Sequence, residues 1–182
     1  GVTGASAGSG ATIAQTLVNP TNLQQTVTYR ITPRSGAGCD GATFDVNAVV
    51  DPTPTVLAAP ASQVICSGAS TNITISNPNF VAGTTFSWTV VQSGVSGASA
   101  SSGASIAQTL STTLAVQGTA TYTITPTAGS CSGTPLIVVV TVNPLPDATA
   151  SNQTICSGST TSIAITTPNL VAGTTYTWIV QS

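Results

Sequence analysis

The side chains able to carry chemistry in this 182-residue chain are few. They are four cysteines, Cys39, Cys66, Cys131 and Cys156, and six charged residues, Arg30, Arg34, Asp40, Asp45, Asp51 and Asp147. His, Lys, Glu and Met are absent. General acid–base catalysis near neutral pH, Schiff-base formation and His-ligated metal sites need residue types that are missing. No enzyme, cofactor or metal centre is expected. Two arginines in a chain of net charge −2 cannot displace the counterions of a nucleic acid, which excludes that class of partner. The thiols have neither a cationic neighbour nor a His to make them reactive or metal-binding, so pairing is the chemistry open to them. Four cysteines allow three connectivities.

Asp51 and Asp147 flank Pro-rich segments and invite comparison with calcium-bridged domain junctions. One acid per junction falls short of the six to eight oxygens that calcium takes. Asn72-Ile73-Thr74 and Asn152-Gln153-Thr154 read as glycosylation sequons, frequent by chance in a Thr-rich chain.

The elements that hold these residues come from the rest of the composition. A hydrophobic content of 41% and a mean hydropathy of +0.37 are too apolar for a disordered chain. The longest apolar run, Leu136 to Val140, is far below the roughly 20 residues that span a bilayer, so no membrane insertion is expected. Residues 1 to 30 lack the basic and apolar regions of a signal peptide.

Self-comparison gives the organisation. The segment QVICSGASTNITISNPNFVAGTTFSWTVVQS from residue 63 recurs from 153 as QTICSGSTTSIAITTPNLVAGTTYTWIVQS, with Cys66 and Trp88 matching Cys156 and Trp178. Residues 94–144 likewise match residues 1–52, with Tyr122 and Cys131 matching Tyr29 and Cys39. The period is about 91 residues. Three units follow: residues 1–52 as the C-terminal half of a domain, 53–144 as a complete domain, and 145–182 as the N-terminal half of another. Gln181-Ser182 would run into Gly1-Val2 just as Gln92-Ser93 runs into Gly94-Val95. The chain is therefore expected to be one window of a tandem array, its last half completed by the next copy, with Ser182 within peptide-bond reach of that copy's Gly1.

Within the complete repeat the apolar period is two, which signals strands. Ile73 and Ile75 alternate with polar residues, as do Phe86, Trp88 and Val90, and as do Ala120, Tyr122 and Ile124 within a run of threonines. Leu136 to Val142 is nearly all apolar, as in a strand that meets little solvent on either face or lies at an interface. Gly- and Pro-containing turns separate the runs. About seven short strands, with a Trp on the third and a Tyr on the sixth, predict an all-β antiparallel sandwich of Ig-like type. Trp88 and Trp178 are expected in the core between the sheets, and so are Tyr122 and Tyr29.

The residues that carry a family resemblance are I-C-S-G at Ile65–Gly68, N-P-N-F-V-A-G-T-T-F-S-W at Asn77–Trp88, T-Y-T-I-T-P at Thr121–Pro126, Cys131-Ser132-Gly133, and V-T-V-N-P at Val140–Pro144. Together they resemble the PKD-like, Ig-related repeats of very large secreted proteins of Bacteroidota-type bacteria. The resemblance implies tandem sandwiches in cell-surface adhesins, filaments or secreted multidomain proteins.

The repeat assigns one cysteine pair to each domain. Cys66 with Cys131 is the expected disulfide, worth about 4 kcal/mol in the chain-entropy view. Cys156 with Cys39 of the following copy is its counterpart, at the same spacing of 65 residues. Disulfides imply an oxidising, extracellular setting. The Pro-x-Pro junctions at Pro52–Pro54 and Pro144–Pro146 favour stiff, extended connections, with an advance of about 60 to 90 Å per two-domain period. The leading expectation is the stalk or filament shaft of a surface adhesin, whose partners are neighbouring repeats of the same protein. The rivals are a module that binds glycan or a host or bacterial surface protein through the loops at Pro78–Thr84 or Gly94–Ser105, and a spacer within a secreted enzyme.

Overall fold

The computed structural model describes residues 1–181, so the expectation placed on Ser182 lies outside the described residues. Those residues form strands and turns, with no helix among them. In chain order the strands are β1 (Gln25–Ile31), β2 (Phe44–Val50), β3 (Leu57–Ala59), β4 (Ser62–Cys66), β5 (Ile73–Ser76), β6 (Thr85–Ser93), β7 (Ser101–Ser102), β8 (Ser105–Ile106), β9 (Gly118–Ala128), β10 (Cys131–Ser132), β11 (Leu136–Asn143), β12 (Thr149–Ala150) and β13 (Ile165–Thr166).

Strands β3 to β11 build the complete sandwich. One sheet has the order β4-β11-β9-β6-β7, with β10 paired to β9 beyond the end of β11. The facing sheet is β3-β5-β8. The alternation read from the sequence is what faces the sheets to one another. Phe86 and Trp88 of β6, Ala120, Tyr122 and Ile124 of β9, and Val138, Val140 and Val142 of β11 point inward. Ala58, Ile73, Ile75 and Ile106 meet them from the facing sheet, and Leu110 closes one end. Each aliphatic side chain of this size contributes about 1.5–3 kcal/mol by leaving water, and that burial is what orders short strands of low intrinsic stability. The one buried polar side chain of this core, Thr71, donates to the Ile106 carbonyl and accepts from the Gln108 amide, so its burial leaves no unpaired hydroxyl.

The expectations of strand position need three corrections. The complete repeat has nine strands against about seven expected: six of three or more residues, and β7, β8 and β10, two-residue pairings that no sequence period of two can reveal. Trp88 sits on the fourth strand of the repeat, because β3, β4 and β5 all precede β6, and Tyr122 on the seventh. The apolar run Leu136–Val142 is not shielded on both faces: Val138, Val140 and Val142 are buried while Ile137 and Val139 are exposed on the outer face. Among the described residues no third layer covers that face.

A polar network ties the inner face together. The Tyr122 hydroxyl donates to Gln108 Oε1 at 2.8 Å, Gln108 Nε2 donates to the Ser99 carbonyl at 2.9 Å, and the same carbonyl accepts from Trp88 Nε1 at 3.2 Å. Burial holds the Tyr122 phenol above its ordinary pKa of 10.0. The unfolded chain ionises at the ordinary value while the folded one stays protonated, so stability from this group is intact below about pH 10 and declines as the pH rises beyond it. Tyr122→Phe should cost about 1 kcal/mol at neutral pH through the lost hydrogen bond and should flatten that alkaline decline, as read from urea midpoints across pH 7 to 11.

Candidate functional site

With no catalytic constellation in the sequence, the features that can act are the two ends of the complete sandwich and the open faces of the flanking halves. At one end, where the chain enters from residue 53, the loop between β5 and β6 is tied locally. Asn77 Nδ2 donates to the Val81 carbonyl and to Thr84 Oγ1, and Asn79 Nδ2 donates to the Thr53 carbonyl at 2.9 Å. The Asn79 side-chain oxygen accepts from the Thr55 amide, which anchors the entering linker. Phe80 stands at the tip of this loop with φ 55° and is 79% exposed; Leu170 repeats both features in the last unit, with φ 56°. A bulky residue held in the left-handed region is strained, and two units keep it. The β9–β10 hairpin, with Gly129 at φ 57°, projects at the same end. Gly133, just after it, lies so close to the Pro54 carbonyl that a Cβ there would collide with it.

The opposite end gathers the turn after β4, the exit of β11 and the 108–118 segment. Ser67 donates its amide to the Asn143 carbonyl at 2.8 Å, and Gly68 to the Leu110 carbonyl at 2.8 Å. Ala115–Gln117, Asn143 and Pro144 line a cleft whose other wall is Val171 and Ala172 of the last unit. These two residues match Val81 and Ala82, so the entry loop of one unit sits against the exit end of the unit before it.

This geometry overturns the expected Cys66–Cys131 disulfide. Strand β4 runs parallel to β11, placing Cys66 level with Asn143. Cys131 pairs with Ala128, four positions of β9 beyond Ile124, the partner of Leu136 at the start of β11. The two cysteines thus stand at opposite ends of one sheet, about 35 Å apart at 3.3 Å per residue, against a Cα separation of at most about 7 Å in a disulfide. All four cysteines are free, with Cys39, Cys66 and Cys156 exposed. The same registers applied to Cys156 and Cys39 of a following copy would part that pair as well.

The flanking halves reproduce parts of the sandwich without its cover. The pairing of β1 with β2 sets Tyr29 opposite Val46 as β9 and β11 set Tyr122 opposite Val138. The Tyr29 hydroxyl donates to Gln15 Oε1 at 2.8 Å, and Gln15 Nε2 to the Ser6 carbonyl at 2.7 Å, the same network as around Tyr122 without its tryptophan. Yet Val46 is 44% exposed where Val138 is 0%, and Trp178 is 77% exposed where Trp88 is 5%. Tyr29 is half-buried. Within this chain neither Trp178 nor Tyr29 occupies a closed core. Among the described residues of the last unit only β12 and β13 pair, and Asn169 ties Leu145 and Asp147 as Asn79 ties Thr53 and Thr55.

The few charges serve local contacts. Arg30 and Asp45 form a bidentate pair at 2.8 Å across β1 and β2, and the guanidinium holds the Asp45 carboxyl below its usual range. Both side chains are solvated, so the pair adds little stability. Asp51 accepts from Gln24 Nε2 and Asp147 from the Asn169 amide. Among the described residues no helix is long and apolar enough to cross a membrane.

No curated protein and no solved structure matches the chain. A family profile does match, and it covers residues 1–54 and 63–146. It takes in the whole of the first half-unit and nearly all of the complete sandwich, the segments that hold both Tyr–Gln–Ser networks. The described fold is the all-β, Ig-like sandwich of that family, a non-catalytic type of module common in extracellular proteins. The chain belongs to the PKD-like domain family.

Proposed function

We propose that the chain is a structural segment of an extracellular tandem-repeat fibre, the stalk or filament shaft of a surface adhesin, in which residues 145–182 of one copy and residues 1–52 of the next close into one sandwich. The observation that carries this reading is the exposure of residues whose counterparts form the core, Trp178 against Trp88 and Val46 against Val138. Apolar faces this regular ask for a partner, and the partner with the matching shape is the other half of the same repeat. The Ser6 carbonyl supports it further: its counterpart, Ser99, takes the Trp88 indole N–H, and Trp178 of a preceding copy is the equivalent donor. The Thr-rich outer faces keep such a fibre soluble with few charges, and Pro-x-Pro junctions keep it extended.

Two copies joined head to tail in one polypeptide test the reading. Trp178 of the first copy should move to a buried emission maximum and become inaccessible to iodide. Small-angle scattering should show a rod that lengthens by about 60 to 90 Å per added copy. A Trp178 that stays quenchable, or a compact globule, would sink the proposal. The rival reading, a glycan- or protein-binding module, draws on one observation, the exposed Phe80 at a strained loop tip. Binding to a glycan array that is lost in Phe80→Ala would favour it.

A further inference from the structure

We infer that the cysteines link successive domains covalently: Cys66 bonds to Cys39 of the next copy, and Cys156 bonds to Cys131 of the next copy. The inference rests on the fibre reading and adds the pairing that the registers allow. Each domain carries one cysteine at its exit end (Cys66, or Cys156 in the composite domain) and one at its entry end (Cys131, or Cys39). In a string of such domains the exit cysteine of one faces the entry cysteine of the following one.

The distances close. Cys66 is level with Asn143, and the linker from Asn143 to Pro146 spans at most about 10 Å when extended. Pro146 takes the place of Pro54, against which Gly133 is packed, so Gly41 of the next copy should lie against Pro146. Cys131 is two residues nearer the hairpin tip than Gly133, and Cys39 is likewise two from Gly41. The tip therefore reaches back about 7 Å toward the preceding domain and leaves an axial gap of about 3 Å. Sideways, β10 continues the column of β11 within a domain, so where successive sandwiches stack with these columns in line the next domain's β10 stands one strand, about 4.8 Å, from the preceding β4. The combined separation is about 6 Å, inside the 4.4–6.8 Å window of disulfide Cα atoms. The cleft between Asn143–Pro144 and Val171–Ala172 is independent evidence that the entry end of a unit seats on the exit end of its predecessor. Three of the thiols are exposed and Cys131 is half-buried, as ends awaiting a partner would be.

The chemistry is thiol–disulfide exchange. Two thiols lose two protons and two electrons as their S–S bond forms, and the disulfide of an oxidising protein of the exported compartment is reduced to a dithiol. Such bonds would fix the angle between neighbouring sandwiches and transmit load across each junction.

Two copies joined head to tail and exported into an oxidising compartment decide the matter by mass spectrometry of non-reduced peptides. The first copy's Cys66 should be linked to the second copy's Cys39, and the first copy's Cys156 to the second copy's Cys131. A Cys66–Cys131 link within one copy, a Cys156–Cys39 link between copies, or free thiols throughout would overturn the inference. Variants sharpen the result. C66S/C39S in both copies should retain the Cys156–Cys131 bond, whereas C66S/C131S should lose every bond; pairing within domains makes the opposite forecast for the second variant, a surviving Cys156–Cys39 link. Trp178 reports on the fibre reading in the same sample. Buried Trp178 with free thiols defeats the inference alone, and exposed Trp178 defeats both.

Discussion

Replacing Trp88 by alanine is expected to lower the unfolding free energy of the complete domain by about 3–5 kcal/mol, a loss visible as a large fall in the urea midpoint. The indole lies between the sheets, packed with Phe86, Tyr122 and Ile124, and is 5% exposed. Its removal leaves a cavity that the surrounding strands cannot collapse to fill, because Tyr122 and Ile124 of β9 are held by ladders to β6 and β11 on both sides. It also strips the Ser99 carbonyl of one donor, though Gln108 still satisfies that oxygen. Trp88→Phe keeps most of the apolar area and should cost distinctly less. A small domain has only about 5–15 kcal/mol of net stability, so the alanine variant should be partly unfolded at 37 °C. A loss below about 1 kcal/mol would mean that the indole is not a core element.

The matching substitution in the last unit should behave in the opposite way until a second copy is present. Trp178→Ala in the single chain is expected to change stability by no more than about 0.5 kcal/mol, because the ring is already 77% in water and has no core to leave. In two copies joined head to tail the same substitution should cost the joint domain about 3–5 kcal/mol, the Trp88 value, since the ring would then enter an equivalent core. Thermal unfolding of the four proteins, wild type and variant in each format, measures the difference directly. Equal effects in the two formats would show that residues 145–182 and 1–52 do not complete one another.

Much of the fold was legible because a strand with one wet face writes its geometry as alternation. Ile73 and Ile75, Phe86 and Trp88, and Ala120, Tyr122 and Ile124 all proved to be inward-facing, as their spacing required. The all-β class followed from the same period, together with Gly and Pro at the turns. The minor pairings β7, β8 and β10 escaped, since two residues carry no period. Leu136–Val142 misled for a related reason. An unbroken apolar run is ambiguous between a strand shielded on both sides and one whose outer residues are simply β-branched, and only the absence of a covering layer shows that Ile137 and Val139 face outward.

What the sequence by itself determined is the repeat, its period of about 91 residues, the identity of the core residues in one period, and hence which residues of the half-units lack their cover. These are local or self-comparative properties, and side-chain type and spacing suffice for them. The cysteine geometry was decided only by the tertiary structure. Spacing says that Cys66 precedes one strand and Cys131 lies in the turn before another, but not that Cys66 ends a strand, β4, running parallel to β11 while β10 folds back on β9. Strand direction and register depend on contacts between segments far apart in the chain, and a parallel neighbour sends its C-terminal cysteine to the far end of the sheet, about 35 Å from the hairpin cysteine. That single pairing turns two thiols that looked like a staple within one domain into groups at opposite ends of it.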